Sequence, residues 1–341
     1  MKSPAETPPE SPVQRSSPAL PQGKAITVLR RLTNFREFMI LAILVVGCIA
    51  MSFLSPTFMT AGNWSALLLQ VSVEVIVAIG MTILLVSGGF DLSVGSTFAL
   101  GGAVTAMAMV SGLPTLLAIA IGLLIGTAIG FINGFIIARI GINPFVTTLA
   151  MMSIVRGMLL VITRGGNISG LPADFRFIGE GHLFGVQNPI LIALWMVLVG
   201  DILLRKSAFF RQNYYLGGNE HAAVLSGIRV DRLKIFNYAL TGFLAAFAGI
   251  IMTARLRSAS VTAGTGLELK VISAVIIGGA SLKGGEGTVL GTFLGALLMG
   301  ILVGSLTLLG VDVYWNTLVI GATLLVAVLI DNFGRRRRKL E

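Results

Sequence analysis

The sequence predicts an all-α, polytopic membrane protein with about ten transmembrane helices, and three observations carry that expectation. Of the 341 residues, 55% are hydrophobic and only 12% charged, with a mean hydropathy of +0.90, where a soluble domain carries about a quarter charged residues. The apolar residues run continuously over helix-spanning lengths instead of alternating over ten-residue strands, which excludes a membrane β-barrel. Forty-two glycines are spread along the chain, while six of the eleven prolines crowd into the first 21 residues. Helices in lipid tolerate such glycines, and a collagen-like chain would not show this pattern. One cysteine, Cys48, and two histidines, His182 and His221, supply neither an intrachain disulfide nor a metal cage. No catalytic residue, metal site or cofactor is expected.

The chain begins with MKSPAETPPESPVQRSSPALPQG, rich in Pro and Ser and without hydrophobic periodicity, so residues 1–37 read as a disordered cytoplasmic tail. Residues 38–330 hold the spans, at 38–54, 65–87, 94–110, 115–138, 144–163, 189–204, 235–254, 269–280, 288–309 and 314–330. The first run, FMILAILVVGCIAMSFL, is longer than a signal-peptide core and reads as a retained anchor. Its VVGC, ending at Cys48, loosely resembles a lipoprotein cleavage box, but nine further spans follow, and Cys48 reads as a small helix-packing residue. The eighth span is short and reads as a half-helix or re-entrant piece, which lipid tolerates only when it is buried in protein or lines a cavity. Residues 331–341 form a basic cytoplasmic tail whose Arg335 to Lys339 run is membrane-flanking charge; no nucleic-acid partner is expected.

Charge sets the orientation. With the amino terminus inside, most of the 25 Lys and Arg fall in cytoplasmic segments; Arg164, Arg176, Arg255, Arg257 and Lys270 fall outside, and Arg156 falls within a span. This asymmetry places both termini in the cytoplasm. Arg255 and Arg257, beside the eighth span, fit least well.

The longest inside loop, residues 205–234, is RKSAFFRQNYYLGGNEHAAVLSGIRVDRLK. Gly217 and Gly218 supply a turn, Asn219 a helix cap, and Glu220 to Leu225 about two helical turns that Gly227 ends. A second short helix begins near Val230 and Asp231. From the residues alone this is either a functional surface helix or a hairpin that merely joins two spans. In SGGFDLSVGS, residues 87–96, Gly88 and Gly89 break the helix, and Asp91 and Ser93 are positioned to cap the next one. Broken helices of this kind place helix ends along a substrate path, and a tight turn with a cap is the alternative. GGASLKGG repeats the theme from Gly278 and Gly279, with Leu282 four residues after Gly278 as Leu92 is four after Gly88, the pattern of an internal duplication. It is not a phosphate loop, because Gly285 stands where lysine is required.

Two ionisable residues fall within spans, Glu74 in VSVEVIVAIG and Arg156 in MMSIVRGMLL. A charge at the bilayer centre costs about 2.5 to 3.5 kcal/mol on insertion scales, so each needs a partner, a cavity or a position nearer the interface. Pairing with each other is one solution. Hydroxyl and amide groups at Ser72, Ser87, Ser93, Thr97, Asn133, Thr147, Thr148 and Ser273 lie within or beside the spans, each able to face a path or to bond its own helix.

The loop GGNEHAAVLSGIRV resembles the coupling loop of the permease subunits of ribose-type bacterial ABC importers at Gly217, Gly218, Asn219, Glu220, Ala222, Ala223, Leu225, Ser226, Gly227, Ile228 and Val230. SGGFDLSVGS is similar to that family's GGxDLSVGS, and GIIMTARLRSA, TAGTGLELKVISAVIIGGASLKGGEGT, PFVTTLA and the pairs Asn133–Gly134 and Arg156–Gly157 add matches in order after residue 38. His221 and Phe90 depart from the pattern. The resemblance implies an ABC importer permease in the bacterial inner membrane, translocating a neutral monosaccharide or polyol by alternating access. It implies three partners: a cytoplasmic ATP-binding subunit with tandem ATPase domains docked on 217–228, a periplasmic sugar-binding protein, and a second permease subunit, identical or related. The candidate path residues are Glu74, Gly88, Gly89, Asp91, Ser93, Asn133, Thr147, Arg156, Ser273, Gly278 and Gly279. An ion-coupled secondary transporter of a small polar solute is the alternative; it leaves the coupling-like loop unexplained. An intramembrane enzyme is disfavoured by the scarcity of His, Cys and paired intramembrane carboxylates.

Overall fold

A helix occupies each of the ten expected segments. The structure, a computed structural model, describes residues 36–312 and 314–338. In chain order the elements are α1 (Arg36–Leu54), α2 (Ala61–Val86), α3 (Val94–Val110), α4 (Thr115–Phe135, continued by a π-helical turn Ile136–Ile140), α5 (Pro144–Thr163), α6 (Arg176–Glu180), β1 (His182–Leu183), β2 (Val186–Gln187), α7 (Asn188–Lys206), α8 (Ala208–Gly218), α9 (Glu220–Leu225), α10 (Val230–Leu256), α11 (Leu267–Ile277), α12 (Val289–Leu308) and α13 (Tyr314–Arg338). Eight of these are long and apolar enough to cross a bilayer; α3, with 17 residues, and α11, with 11, are shorter. The expected tail 1–37 lies outside the described residues except for Arg36 and Glu37, which already belong to α1. The expected basic tail is helical to Arg338; no proline lies between Ala327 and Arg338, and α13 runs through Gly334.

Which helices sit inside follows from their sequences. The α2 helix is hydrophobic all round, and such a helix belongs in a core; 89% of its spanning window is buried, against 11% for α1 and 6% for α13. The α10 helix packs on α2, α3 and α4. Of the glycines spaced four residues apart on α4, Gly126, Gly130 and Gly134 bring its backbone against that of α10, while Gly122 stands against Gly101 and Thr105 of α3. A Cβ at Gly130 would run into the carbonyl of Tyr238, and one at Gly126 into Ala246.

Both ends of the described chain lie at the end of the bundle that carries α8 and α9. At the start of α1, Glu37 accepts from Arg205 Nη2 (2.8 Å) and Thr288 Oγ1 (2.8 Å), and Arg205 also pairs with Asp201. Near the end of α13, Asp331 accepts from Ser281 Oγ (3.3 Å). At the opposite end, residues 257–266 fold back between α10 and α11. They are fastened by an antiparallel bridge from Ile168 to Ala259, by Arg156 donating to the carbonyls of Val261 (2.9 Å) and Ala263 (3.0 Å), and by Arg257 gripping both oxygens of Glu180. The hydrogen bond from Arg257 holds the Glu180 carboxyl below the usual carboxylate range.

Candidate functional site

The loop between α7 and α10 is helical almost throughout. Contrary to the expected turn at Gly217–Gly218, both glycines lie in the last turn of α8, and Asn219 makes the break in an extended conformation (φ −160°, ψ 107°). From there its side chain accepts the Ala222 N–H (3.0 Å) and caps α9 as expected. Gly227 (φ +81°) ends α9, with its own N–H on Val224 O and the Ile228 N–H on Ala223 O, the αL termination that favours glycine. The expected second short helix at Val230 is the first turn of α10, because no breaker separates Val230 from the span. Leu216, Ala223, Val230 and Leu233, with Ile228, form a small apolar cluster beneath α9. Lys234 Nζ holds Glu220 Oε1 at 2.6 Å. On the outer side Leu225 is 90% exposed, with Val224 beside it, and a groove of about 520 Å³ runs between Tyr215, Gly218, Ala222 and Ser226.

Through α8 this loop is keyed into the bundle. A Cβ at Gly217 would run into the Val86 carbonyl and stand 2.5 Å from the Gly285 nitrogen and 3.0 Å from Gly284 Cα. The same Val86 carbonyl accepts the Gly285 N–H (2.8 Å), and Tyr214 Oη donates to Gly287 O (2.8 Å). Asn213 Oδ1 accepts from Asn237 Nδ2 at 2.7 Å, both side chains being fully buried. The last turn of α8 thus touches the α2–α3 turn and the α11–α12 turn together.

Those two turns share one backbone design. After α2, the N–H groups of Ser87, Gly88 and Gly89 bond the carbonyls of Ile83, Leu85 and Leu84. After α11, those of Gly278, Gly279 and Ala280 bond Ala274, Ile276 and Val275. Gly88 (φ +83°) and Gly279 (φ +94°) are therefore equivalent. A second step follows in each, with Asp91 Oδ1 accepting the Ser93 N–H (2.7 Å) and Ser281 Oγ accepting the Lys283 N–H (3.2 Å). Leu92 and Leu282 correspond as the sequence suggests. The glycine pairs are offset by one residue, because Phe90 is an extra residue in the first turn.

Asp91 is 1% exposed and does not cap α3. Nor does Ser93, which lies in the αR region (φ −77°, ψ −6°) instead of the extended conformation a side-chain cap requires. Its hydroxyl donates to Asp91 Oδ1 (2.6 Å), and Asn133 Nδ2 donates to Asp91 Oδ2 (3.3 Å) and Ser93 Oγ (3.0 Å). Tyr238 Oη donates to Phe90 O (3.1 Å). Asp91, Ser93 and Asn133 thus meet, with Gly89 against the Tyr238 hydroxyl.

Glu74 and Arg156 do not pair. Glu74 Oε1 accepts from Lys270 Nζ (2.5 Å) and Gln70 Nε2 (3.2 Å), while Arg156 goes to the two carbonyls of the folded-back segment. Lys270, expected in an outside loop, is buried in the first turn of α11, because residues 257–266 return into the bundle before the helix starts. Since Glu74 sits midway along α2, this ion pair lies at mid-helix depth. The pair borders a cavity of about 440 Å³ between α2, α10, the 262–267 segment and α13. Of the remaining expected path residues, Ser273 bonds its own helix at Leu269 O, and the buried Thr147 hydroxyl has no partner among the described residues.

A family model described as the permease component of a branched-chain amino acid transport system matches residues 63–328. The chain belongs to this permease family. It is 42% identical over 306 residues to the ribose import permease protein RbsC of Bacillus subtilis (89% of this chain, 93% of that one). To RbsC of Escherichia coli K12 it is 44% identical over 297 residues (86% and 92%). To the L-arabinose ABC transporter permease protein AraH of Azospirillum brasilense it is 36% identical over 330 residues (96% and 97%).

Sequence reasoning about this permease missed Gln70, Tyr214, Tyr238, Lys270 and the Gly284–Gly285 pair. A signal existed for Lys270, since LELKVISAVII is apolar enough after the lysine to carry it inward. For Gln70 the i,i+4 spacing to Glu74 on one helix was a readable signal, whereas the Tyr238 partner is a backbone carbonyl that no side-chain pattern announces.

Proposed function

We propose that this permease is the membrane-spanning subunit of an ATP-driven importer that carries a neutral monosaccharide, a pentose, hexose or related polyol, into the cytoplasm by alternating access. The observation that carries this reading is α9: a short helix that presents Leu225 and Val224 outward while Gly217 roots its support in both glycine turns. A helix merely joining α7 to α10 has no need for an exposed apolar tip on a rigid base. An ATPase subunit with tandem nucleotide-binding domains docks there, and its ATP-dependent motion supplies the differential binding that drives reorientation. A periplasmic binding protein delivers the sugar to the opposite end, and a second permease subunit, identical or related, completes the path.

The basic residues at the α9 end support a cytoplasmic placement for it. In this reading the two described ends, near Glu37 and Asp331, lie on the cytoplasmic side of the bacterial inner membrane, with both termini in the cytoplasm. A neutral cargo fits the Glu74–Lys270 pair, which cancels its own charge, and fits relatives named for ribose and L-arabinose. Gly88, Gly89, Asp91, Ser93, Asn133, Gly278 and Gly279 act in this reading as the moving inner part of the path.

The test is uptake by proteoliposomes holding the permease with its ATPase and supplied with ATP and the binding protein. Leu225→Asp should leave assembly of the membrane subunit intact and lower ATP-driven sugar uptake at least tenfold. Wild-type uptake by this variant and by Glu220→Arg would overturn the coupling role.

A further inference from the structure

Two cavities stand in series along the side of α2. The smaller, about 240 Å³, lies toward the start of α2 and is bordered by Phe58, Asn63 and Thr307; the larger is the 440 Å³ cavity at the ion pair. Gln70 and Arg255 border both, so they form the partition between them. Only the larger falls within the range of roughly 300 to 1,000 Å³ usual for small-molecule sites.

We infer that the larger cavity is the point in the path where the sugar's hydroxyls are read, with Glu74, Lys270 and Gln70 as the reading edge. This rests on the import function proposed above and assigns it a place. Lys270 and Gln70 both bond Glu74 Oε1. Among the described residues, Glu74 Oε2 and two of the three Lys270 ammonium hydrogens have no partner. The edge therefore offers a charged acceptor beside charged donors, the pattern that vicinal hydroxyls, each donor and acceptor at once, satisfy from both sides. The side chains of Lys270 and Glu74 are only 10% and 12% exposed, which strengthens such bonds relative to water. The pair itself carries no net charge, so a neutral polyol enters without leaving an ion uncompensated. Thr262 and Thr265 face the cavity from the folded-back segment. Thr262 is exposed there, and Gln70 is exposed at the partition.

Thr262→Cys in a Cys48→Ser background gives a reporter that does not alter the reading edge. Its labelling by a maleimide is followed in proteoliposomes turning over with ATPase, ATP and binding protein, with and without a neutral pentose or hexose. The expected result is labelling at least threefold slower with sugar, and loss of that protection when Gln70→Leu is added. Gln70 is exposed, so this substitution does not threaten folding, and the labelling rate without sugar checks that the cavity persists. Equal labelling with and without sugar while ATP-driven uptake proceeds would overturn the assignment and leave the import function standing, as would protection that survives Gln70→Leu. Failure of all sugars to be taken up would instead remove the function on which it rests.

Discussion

The α2–α3 and α11–α12 turns use the same backbone hydrogen bonds and opposite chemistry. In the first, a buried carboxylate does the fastening: Asp91 draws in Ser93 and Asn133, and Phe90, the extra residue, offers its carbonyl to Tyr238. In the second, a hydroxyl replaces the carboxylate, and the close fit comes from Gly284 and Gly285 set against Gly217. The backbone design positions a helix end; the side chains decide what that end is attached to. One turn is tied to α4 and α10, the other to the loop that carries α9, and Val86 O joins them by accepting from Gly285.

The sharpest way to break this pairing is at Gly217, where both turns converge. Gly217→Ala should cost about 1 to 3 kcal/mol through overpacking and abolish ATP-driven uptake. Gly218→Ala, with nothing within 4 Å of its added Cβ, should keep uptake at the wild-type level; thermal melts in detergent and uptake assays would separate the two, and equal behaviour would dissolve the joint. Next, Asp91→Ala strips the acceptor from Ser93 and Asn133 and should destabilise by about 2 kcal/mol, whereas Ser281→Ala in the other turn should cost under about 1 kcal/mol by the same melts. A smaller difference separates the glycines. Gly88→Ala bears only the left-handed strain of roughly 1 to 2 kcal/mol, because its surroundings are open to 3.8 Å. Gly284→Ala bears that strain and a Cβ 2.7 Å from Gly217 Cα, so it should melt earlier and lose more uptake. If Gly88→Ala is the worse of the two, the close fit has been assigned to the wrong turn.

The spans were legible because lipid demands long continuous apolar runs, and α2 and α12 needed nothing more to be found. The α8 helix was not legible: AFFRQNYYLGG mixes aromatic and polar residues and ends in two glycines, which read locally as a turn. Only the approach of Val86 and Gly284 explains why glycine sits at 217 inside a helix. The four-residue spacing from Gly122 to Gly134 was open to a reader looking for close-packed helices. The polar partnerships were the least legible part. Glu74 and Arg156 stood out as isolated charges, but their partners come from the fold-back of 257–266, a long-range event that leaves no local pattern. The likeness of the two glycine turns was visible in the paired Leu92 and Leu282, while the one-residue offset appears only in the backbone hydrogen bonds.

The Glu74–Lys270 pair also bears on how the chain is made. Its partners are 196 residues apart, and synthesis at about 5 to 20 residues per second separates their emergence by roughly 10 to 40 seconds. For that interval α2 must lodge in the bilayer with its carboxylate unmatched, against a penalty of about 2.5 to 3.5 kcal/mol for an acidic residue at the helix centre. The stretch from Val75 to Val86, apolar but for Thr82, gives α2 the means to do so unaided. The short α11 does not have that independence, and its lysine enters a bilayer where the counter-charge already waits. The order of the genes' codons thus assigns the costly insertion to the segment best able to bear it.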